Sequence, residues 1–94
     1  MTLSTHVLDT ERGAPAAGVR VELWQGELML ASAETDADGR IGELADVAPG
    51  SYRLVFRLSS PLFRRLELEV VLGEGHHHIP LLVSSYACAT YRGS

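Results

Sequence analysis

Three of the four histidines lie close together near the end of the chain, with a spacing that could support acid–base chemistry. His76 and His78 are two residues apart in a segment that alternates like a β-strand, so their imidazoles should share one face. His77 should point to the opposite face, where we expect a structural role. Because imidazole titrates near neutral pH, it can take a proton from water. The spacing therefore indicates a strand with one chemical face and one core face.

The remaining histidine and one arginine could complete a site of this kind. His6 lies in an alternating segment near the start of the chain, and Arg40 follows an Asp-Gly pair that is typical of a turn. A guanidinium offers a planar set of donors that suits an electron-rich ring or a developing oxyanion. Each residue also has a simpler interpretation, because an exposed strand histidine and a solvated turn arginine are common. Neither residue alone specifies a function.

The same histidines could instead form part of a metal site. Two imidazoles on one strand face can bind zinc. The chain has one cysteine, Cys88, and no evident convergence of carboxylates on the histidine pair. We therefore predict no metal and no cofactor. Cys88 is interpreted as a small core hydrophobe rather than a nucleophile.

Short β-strands are the elements that must position these residues. Turn signals recur about every ten residues, and the segments between them alternate apolar and polar side chains. The clearest alternation covers residues 51–58, and no segment has a convincing helical period. Gly39, in the turn before Arg40, should supply a positive φ. The pattern predicts one all-β domain, residues 1–94, built as a sandwich of seven to eight short strands.

Composition limits the classes of partner and compartment. The 94 residues are 46% hydrophobic and 21% charged, and the net charge is −4. An acidic chain without concentrated basic residues does not favour nucleic acid. No stretch approaches the roughly 20 apolar residues of a membrane span, and the start of the chain shows no basic and apolar signal segment. We expect a cytoplasmic protein that acts on a small molecule, with neither nucleic acid nor membrane as partner.

Both ends of the chain carry longer motifs. The first is His6-Val7-Leu8-Asp9, followed by Gly13-x-Pro15-Ala16 and Val19-x-Val21. The last is His76-x-His78-Ile79-Pro80-Leu81-Leu82-x-Ser84, followed by Tyr91-Arg92-Gly93-Ser94. Together with Asp38-Gly39-Arg40 between them, these residues resemble the transthyretin-like family, and specifically its 5-hydroxyisourate hydrolase branch. The hormone-carrier branch has Lys in place of the first histidine and lacks the closing tetrapeptide.

The resemblance implies a fold, an assembly and a reaction. It implies a transthyretin-like β-sandwich assembled as a homotetramer, with active sites that line a channel between dimers. It also implies hydrolysis of 5-hydroxyisourate to 2-oxo-4-hydroxy-4-carboxy-5-ureidoimidazoline in urate degradation, without a metal. By the same resemblance the catalytic residues are His6, Arg40, His78 and Ser94, and the substrate-binding residues are His76, Tyr91, Arg92 and Gly93.

The chain departs from the family pattern in two places. Only residues 59–65 stand where the family has a longer connection with a short helix, so that helix should be deleted. Near the end, Ser85, Ala87, Cys88 and Ala89 replace the usual Pro, Gly, Tyr and Ser, which alters the support of the reacting residues. Two alternatives therefore stay open: a non-catalytic β-sandwich binding module, and a transthyretin-like tetramer that assembles without turnover.

Overall fold

The computed structural model describes residues 1–93, and in this part of the chain it has ten β-strands and no helix. The strands are β1 (Thr2–Asp9), β2 (Ala14–Pro15), β3 (Arg20–Gln25), β4 (Leu28–Glu34), β5 (Arg40–Asp46), β6 (Gly50–Arg57), β7 (Arg65–Leu72), β8 (His76–His78), β9 (Leu81–Val83) and β10 (Cys88–Thr90). The prediction of an all-β chain with a deleted helix is confirmed. The number of strands is higher than the predicted seven or eight.

The strands form two sheets. One sheet has the order β4-β3-β6-β7 and is antiparallel throughout. The other is built around β1, which pairs antiparallel with β2 and β5 and parallel with β8 and β9, while β10 pairs antiparallel with β9. β1 is therefore the strand through which the two ends of the chain meet.

The core follows from the alternation of apolar side chains. In β1, Leu3, Thr5 and Val7 are buried, so the residues between them face out of the sheet. In β6, Leu54 and Phe56 are also completely buried, as the alternation of residues 51–58 predicts. The cluster comprises Leu3, Val7, Val21, Leu23, Ile41, Leu44, Ala45, Tyr52, Leu54, Phe56, Leu72, Ile79 and Leu81. Burial of this apolar surface between two sheets is the main stabilising contribution.

The closing histidine stretch differs from expectation in one respect. Its alternation predicts one strand, but the structure divides it into β8 and β9 on either side of Pro80, which has no N–H to donate to a ladder. The predicted faces are nevertheless confirmed. His77 is buried on the core side with Ile79, and its Nε2 donates to the Gly73 carbonyl oxygen at 3.1 Å.

The connection between β6 and β7 is short. Residues 58–64 form a bend without helical structure, closed by a bond of 2.8 Å from the Leu58 N–H to the Arg64 carbonyl. Inside it, the Ser60 hydroxyl accepts from the Phe63 N–H at 2.8 Å. Across residues 1–93, the structure contains no helix of the length and apolar character that a membrane crossing requires.

Candidate active site

β1 brings the residues predicted to be catalytic onto one face. Its partner β5 places Arg40 opposite His6, and its partner β8 places His78 opposite Ser4. Residues that face each other on neighbouring strands put their side chains on the same side of the sheet. Because the core takes the odd-numbered residues of β1, Ser4 and His6 lie on the opposite face. His6, Arg40 and His78 therefore meet on this outer face.

A serine joins two of the histidines. The Ser4 Oγ lies 2.8 Å from His78 Nδ1 and 2.8 Å from His76 Nε2. His76 Nδ1 lies 2.6 Å from Thr2 Oγ1. Each imidazole is thus oriented by a hydroxyl of β1, and His76 belongs to the same cluster as His78.

His6 is oriented by the turn that carries Arg40. Its Nε2 lies 2.8 Å from the Asp38 carbonyl oxygen. Since a carbonyl only accepts, Nε2 carries the proton, and Nδ1 is the nitrogen that can take one up. The turn is closed by the Asp36 carboxylate, which accepts from the Asp38 and Arg40 N–H groups at 2.9 Å each. Gly39 adopts φ +76°, so the predicted positive φ is confirmed.

The surroundings of His78 favour its neutral form. Burial is the largest cause that lowers the pKa of the His78 imidazole, and the nearby Arg40, His6 and His76 lower it further through repulsion of positive charge. A neutral imidazole is the form that accepts a proton. The Ser4 bond uses His78 Nδ1, and within residues 1–93 no hydrogen bond is made by His78 Nε2. His78 therefore has the protonation state and the free nitrogen of a general base.

Gly93 lies against His78. The Gly93 N–H donates to the His78 carbonyl oxygen at 2.7 Å, in an antiparallel bridge. A Cβ on Gly93 would lie 2.5 Å from His78 Cδ2, well inside the contact limit. Only glycine lets the backbone approach the imidazole this closely. Gly93 thus contacts the site by shaping the space around the His78 ring.

Tyr91 and Arg92 of the closing motif lie away from His6, Arg40 and His78. Tyr91 and Arg92 line a cavity of about 360 Å³ together with His77 and residues 68–72 of β7. Tyr91 remains 57% exposed. This cavity is on the core side of β8, since His77 points there. Ser94 lies outside the described residues, so its predicted role stays a prediction.

The HIUase/transthyretin family model matches residues 3–93, which include Ser4, His6, Arg40, His76 and His78. The chain belongs to this family. It is 43% identical to the 5-hydroxyisourate hydrolase of Caulobacter vibrioides, over 98% of this chain and 97% of that one. The structure of Klebsiella pneumoniae 5-hydroxyisourate hydrolase matches with a TM-score of 0.90, 37% identity and complete coverage of both chains. Sea bream transthyretin in complex with thyroxine matches with a TM-score of 0.89 and 27% identity, over 97% of this chain and 93% of that one.

This member of the HIUase/transthyretin family is short. The alignment with the Caulobacter relative spans 112 positions, 18 more than the 94 residues of this chain. The sequence places the deletion in the connection between β6 and β7. The sandwich around it is retained, because the match to the Klebsiella structure has a TM-score of 0.90 and covers the whole chain.

Sequence reasoning missed the hydroxyl and carbonyl groups that orient the histidines of this family member. These are Ser4, Thr2 and the Asp38 carbonyl. One signal was available for Ser4, because period two places it on the face of His6. The pairing of β1 with β8 over more than 70 residues of sequence could not be read from a local pattern. In residues 1–93, no three histidine, cysteine or acidic side chains are grouped as a metal site.

Proposed function

We propose that this chain hydrolyses 5-hydroxyisourate to 2-oxo-4-hydroxy-4-carboxy-5-ureidoimidazoline, as a step in urate degradation. Relatives that are 5-hydroxyisourate hydrolases are 43% and 37% identical to it, compared with 27% for the hormone-bound transthyretin. The observation that carries the proposal is the convergence of His6, Arg40 and His78 on one face of the sheet around β1. A ring-opening hydrolase needs both a proton acceptor and a cation at the same place.

The reaction requires one water and two proton transfers. His78 Nε2 takes a proton from water as the water oxygen forms a bond to a ring carbonyl carbon, whose oxygen becomes negative. Collapse of this adduct breaks the carbon–nitrogen bond of the cyclic amide, and the leaving nitrogen receives the proton. His6, whose Nδ1 makes no hydrogen bond within residues 1–93, is the second imidazole that can handle these protons.

Arg40 has the role of binding and charge stabilisation. Its side chain is exposed on the face shared by the two histidines, and its backbone is fixed by Asp36. A guanidinium can hold two oxygens of a purine-like ring at once and can stabilise the developing oxyanion. We place Gly93 and Ser94 at the substrate, as the family resemblance implies. A role for Tyr91 and Arg92 there stays a prediction of that resemblance, because within this chain they line the cavity beside β7.

The decisive experiment measures the decay of freshly generated 5-hydroxyisourate with and without the purified chain. Acceleration that is proportional to enzyme concentration supports the proposal. A protein that assembles as a tetramer but does not accelerate the decay would instead be a scaffold without turnover. A monomer without activity would support the binding module. The oligomeric state should therefore be measured on the same sample by sedimentation.

The pH dependence of the reaction follows from the lowered pKa of His78. A base must be unprotonated in the free enzyme, so kcat/KM should rise with pH through the His78 pKa and then level off. Because burial and the three neighbouring cationic or titratable groups lower that pKa, the rise should be complete before neutral pH. Initial rates across about pH 5–8, the range in which histidines titrate, check this after correction for spontaneous decay. A rise centred above the ordinary histidine pKa contradicts it.

Gly93→Ala should reduce the activity without unfolding the protein. The added methyl group would collide with the His78 ring and displace the imidazole. Misplacement of a catalytic group by about 1 Å can reduce the rate on the order of 10²-fold. The matched control is Gly42→Ala in β5, where a Cβ meets no atom within 4 Å. Equal rates for the two variants would show that Gly93 does not set the position of His78.

We also propose a homotetramer in the cytoplasm. Val71, on the edge strand β7, has 84% of its surface exposed, which favours coverage by another chain. The homotetramer implied by the family would contain four chains of 10.2 kDa, a mass that sedimentation measures directly. The single cysteine fits a reducing compartment, since it allows no disulfide within one chain.

A further inference from the structure

The Ser4 hydroxyl occupies a position that the roles proposed above do not explain. Its oxygen lies 2.8 Å from both His76 Nε2 and His78 Nδ1, and only 7% of the Ser4 surface is exposed. His76 is exposed and bonds through its other nitrogen to Thr2 Oγ1 at 2.6 Å. A continuous chain of hydrogen-bonding groups therefore runs from His78, inside the site, to a histidine that contacts solvent.

The single hydroxyl proton of Ser4 links the tautomers of the two imidazoles. A hydroxyl has one proton, so Ser4 donates to one imidazole and accepts from the other. When His78 Nε2 is the free base, His78 Nδ1 carries the proton and donates it to the Ser4 oxygen. Ser4 must then donate to His76 Nε2, and His76 holds its own proton on Nδ1, toward Thr2. The hydroxyl thus selects the tautomer in which His78 can accept a proton from water.

The charges around the two histidines differ. His78 is partly buried and faces Arg40 and His6 as well as His76. A positive charge on His78 is therefore poorly solvated and repelled by the guanidinium. His76 is exposed at the edge of the cluster, where water can solvate an imidazolium. The free energy of the charged intermediate would be lower if the positive charge moved from His78 to His76.

We propose that Ser4 is a positioning residue that fixes the base-competent tautomer of His78 and relays the proton gained by His78 to His76. This inference deepens the proposed function and rests on it. After His78 Nε2 has taken a proton from water, His78 Nδ1 gives its proton to the Ser4 oxygen. At the same time the Ser4 hydroxyl proton moves to His76 Nε2, so His76 becomes the imidazolium. When the leaving nitrogen takes the proton from His78 Nε2, the relay runs in reverse and every group regains its starting state.

The relay is tested by a double-mutant cycle on Ser4 and His76. We expect Ser4→Ala and His76→Phe each to lower kcat by about tenfold to 100-fold, less than removal of a general base. KM should change little in Ser4→Ala, because this change removes no contact proposed for the substrate. The double variant should be no slower than the slower single variant, since both changes interrupt one pathway. If the kcat of the double variant were reduced by the product of the two single reductions, the relay would be overturned.

Two further variants separate this role from a structural one. Ser4→Thr retains the hydroxyl and should restore most of the lost kcat. Ser32→Ala is the matched control, because Ser32 is also a strand serine whose hydroxyl bonds a basic side chain, at 2.6 Å from Arg20 Nη1, but far from the site in the other sheet. It should have the wild-type kcat. A Ser4→Thr variant as slow as Ser4→Ala, or a Ser4→Ala variant with wild-type kcat, would exclude the proposed role.

A readout without substrate distinguishes failure of the relay from failure of the proposed function. The 15N chemical shifts of the His76 and His78 rings report which nitrogen carries the proton. In the wild type, His78 should be protonated on Nδ1, and Ser4→Ala should produce a mixture of tautomers. Wild-type protein without hydrolysis would reject the function, whereas unchanged tautomers in Ser4→Ala would reject the positioning role of Ser4 whether or not the protein is active.

Discussion

His78→Ala should lower kcat for 5-hydroxyisourate hydrolysis by about 10²–10⁴-fold, the range that removal of a general base produces. The reason is that His78 combines a lowered pKa with an Nε2 that makes no hydrogen bond in the described part of the chain, on the face it shares with His6 and Arg40. The folded structure should persist, because the His78 side chain is outside the apolar core. Single-turnover kinetics on freshly generated substrate measure the chemical step, and the thermal unfolding midpoint checks the fold.

His77→Phe is the matched control for that experiment. It changes the adjacent histidine of the same strand, whose side chain points to the core and bonds the Gly73 carbonyl. A phenyl ring retains the apolar contacts, so the variant should fold and keep most of its activity. If His78→Ala were as active as His77→Phe, water activation would have to be assigned to another group, and His6 Nδ1 would be the first candidate.

The difference between neighbouring histidines shows what a sequence can predict. Alternation along a strand is a local property, so the opposite faces of His77 and His78 were predictable from residues 76–83 alone. The turn before Arg40 was predictable in the same way, since an Asp-Gly pair favours a turn. The family resemblance then supplied what local patterns lack, namely that His6 and His78 belong to one site although 72 positions separate their numbers.

The groups that orient the histidines depend on pairing between distant strands. Ser4 reaches His78 because β1 and β8 run parallel in a specific register, and that register is set by the whole sandwich. The division of the closing stretch at Pro80 is a second example. The missing N–H of proline was visible in the sequence, but its effect depends on which side of the strand needs a donor. Strand pairing decides both the contact of Ser4 with His78 and the division at Pro80. The alternation of side chains does not specify which strands pair.

Gly39→Ala should be among the most destabilising substitutions outside the apolar core. Gly39 has φ +76°, and holding a residue with a Cβ in this backbone region reduces the free energy of unfolding by about 1–3 kcal/mol. A Cβ here would also collide with the Val7 carbonyl oxygen and lie 3.1 Å from Pro15 Cβ. Because the Val7 N–H donates to the Gly39 carbonyl at 2.7 Å, the turn cannot move away without loss of this bond. For a domain of this size, each kcal/mol lowers Tm by about 4–8 °C.

Three glycines provide a graded series that separates the causes of this destabilisation. Gly42 does not have a positive φ, and a Cβ there would meet no atom within 4 Å, so the Tm of Gly42→Ala should stay near the wild-type value. Gly26→Ala has φ +59° but no atom within 4 Å of the new Cβ, so it shows the backbone cost alone. Gly39→Ala should unfold at a lower temperature than Gly26→Ala in calorimetry.

The Gly39→Ala variant should also lose activity, because Gly39 lies between two residues of the site. Asp38 orients His6 through its carbonyl, and Arg40 follows Gly39 directly. Equal Tm values for Gly26→Ala and Gly39→Ala would mean that the turn can move away from β1, and the fixed positions of His6 and Arg40 would then need another cause.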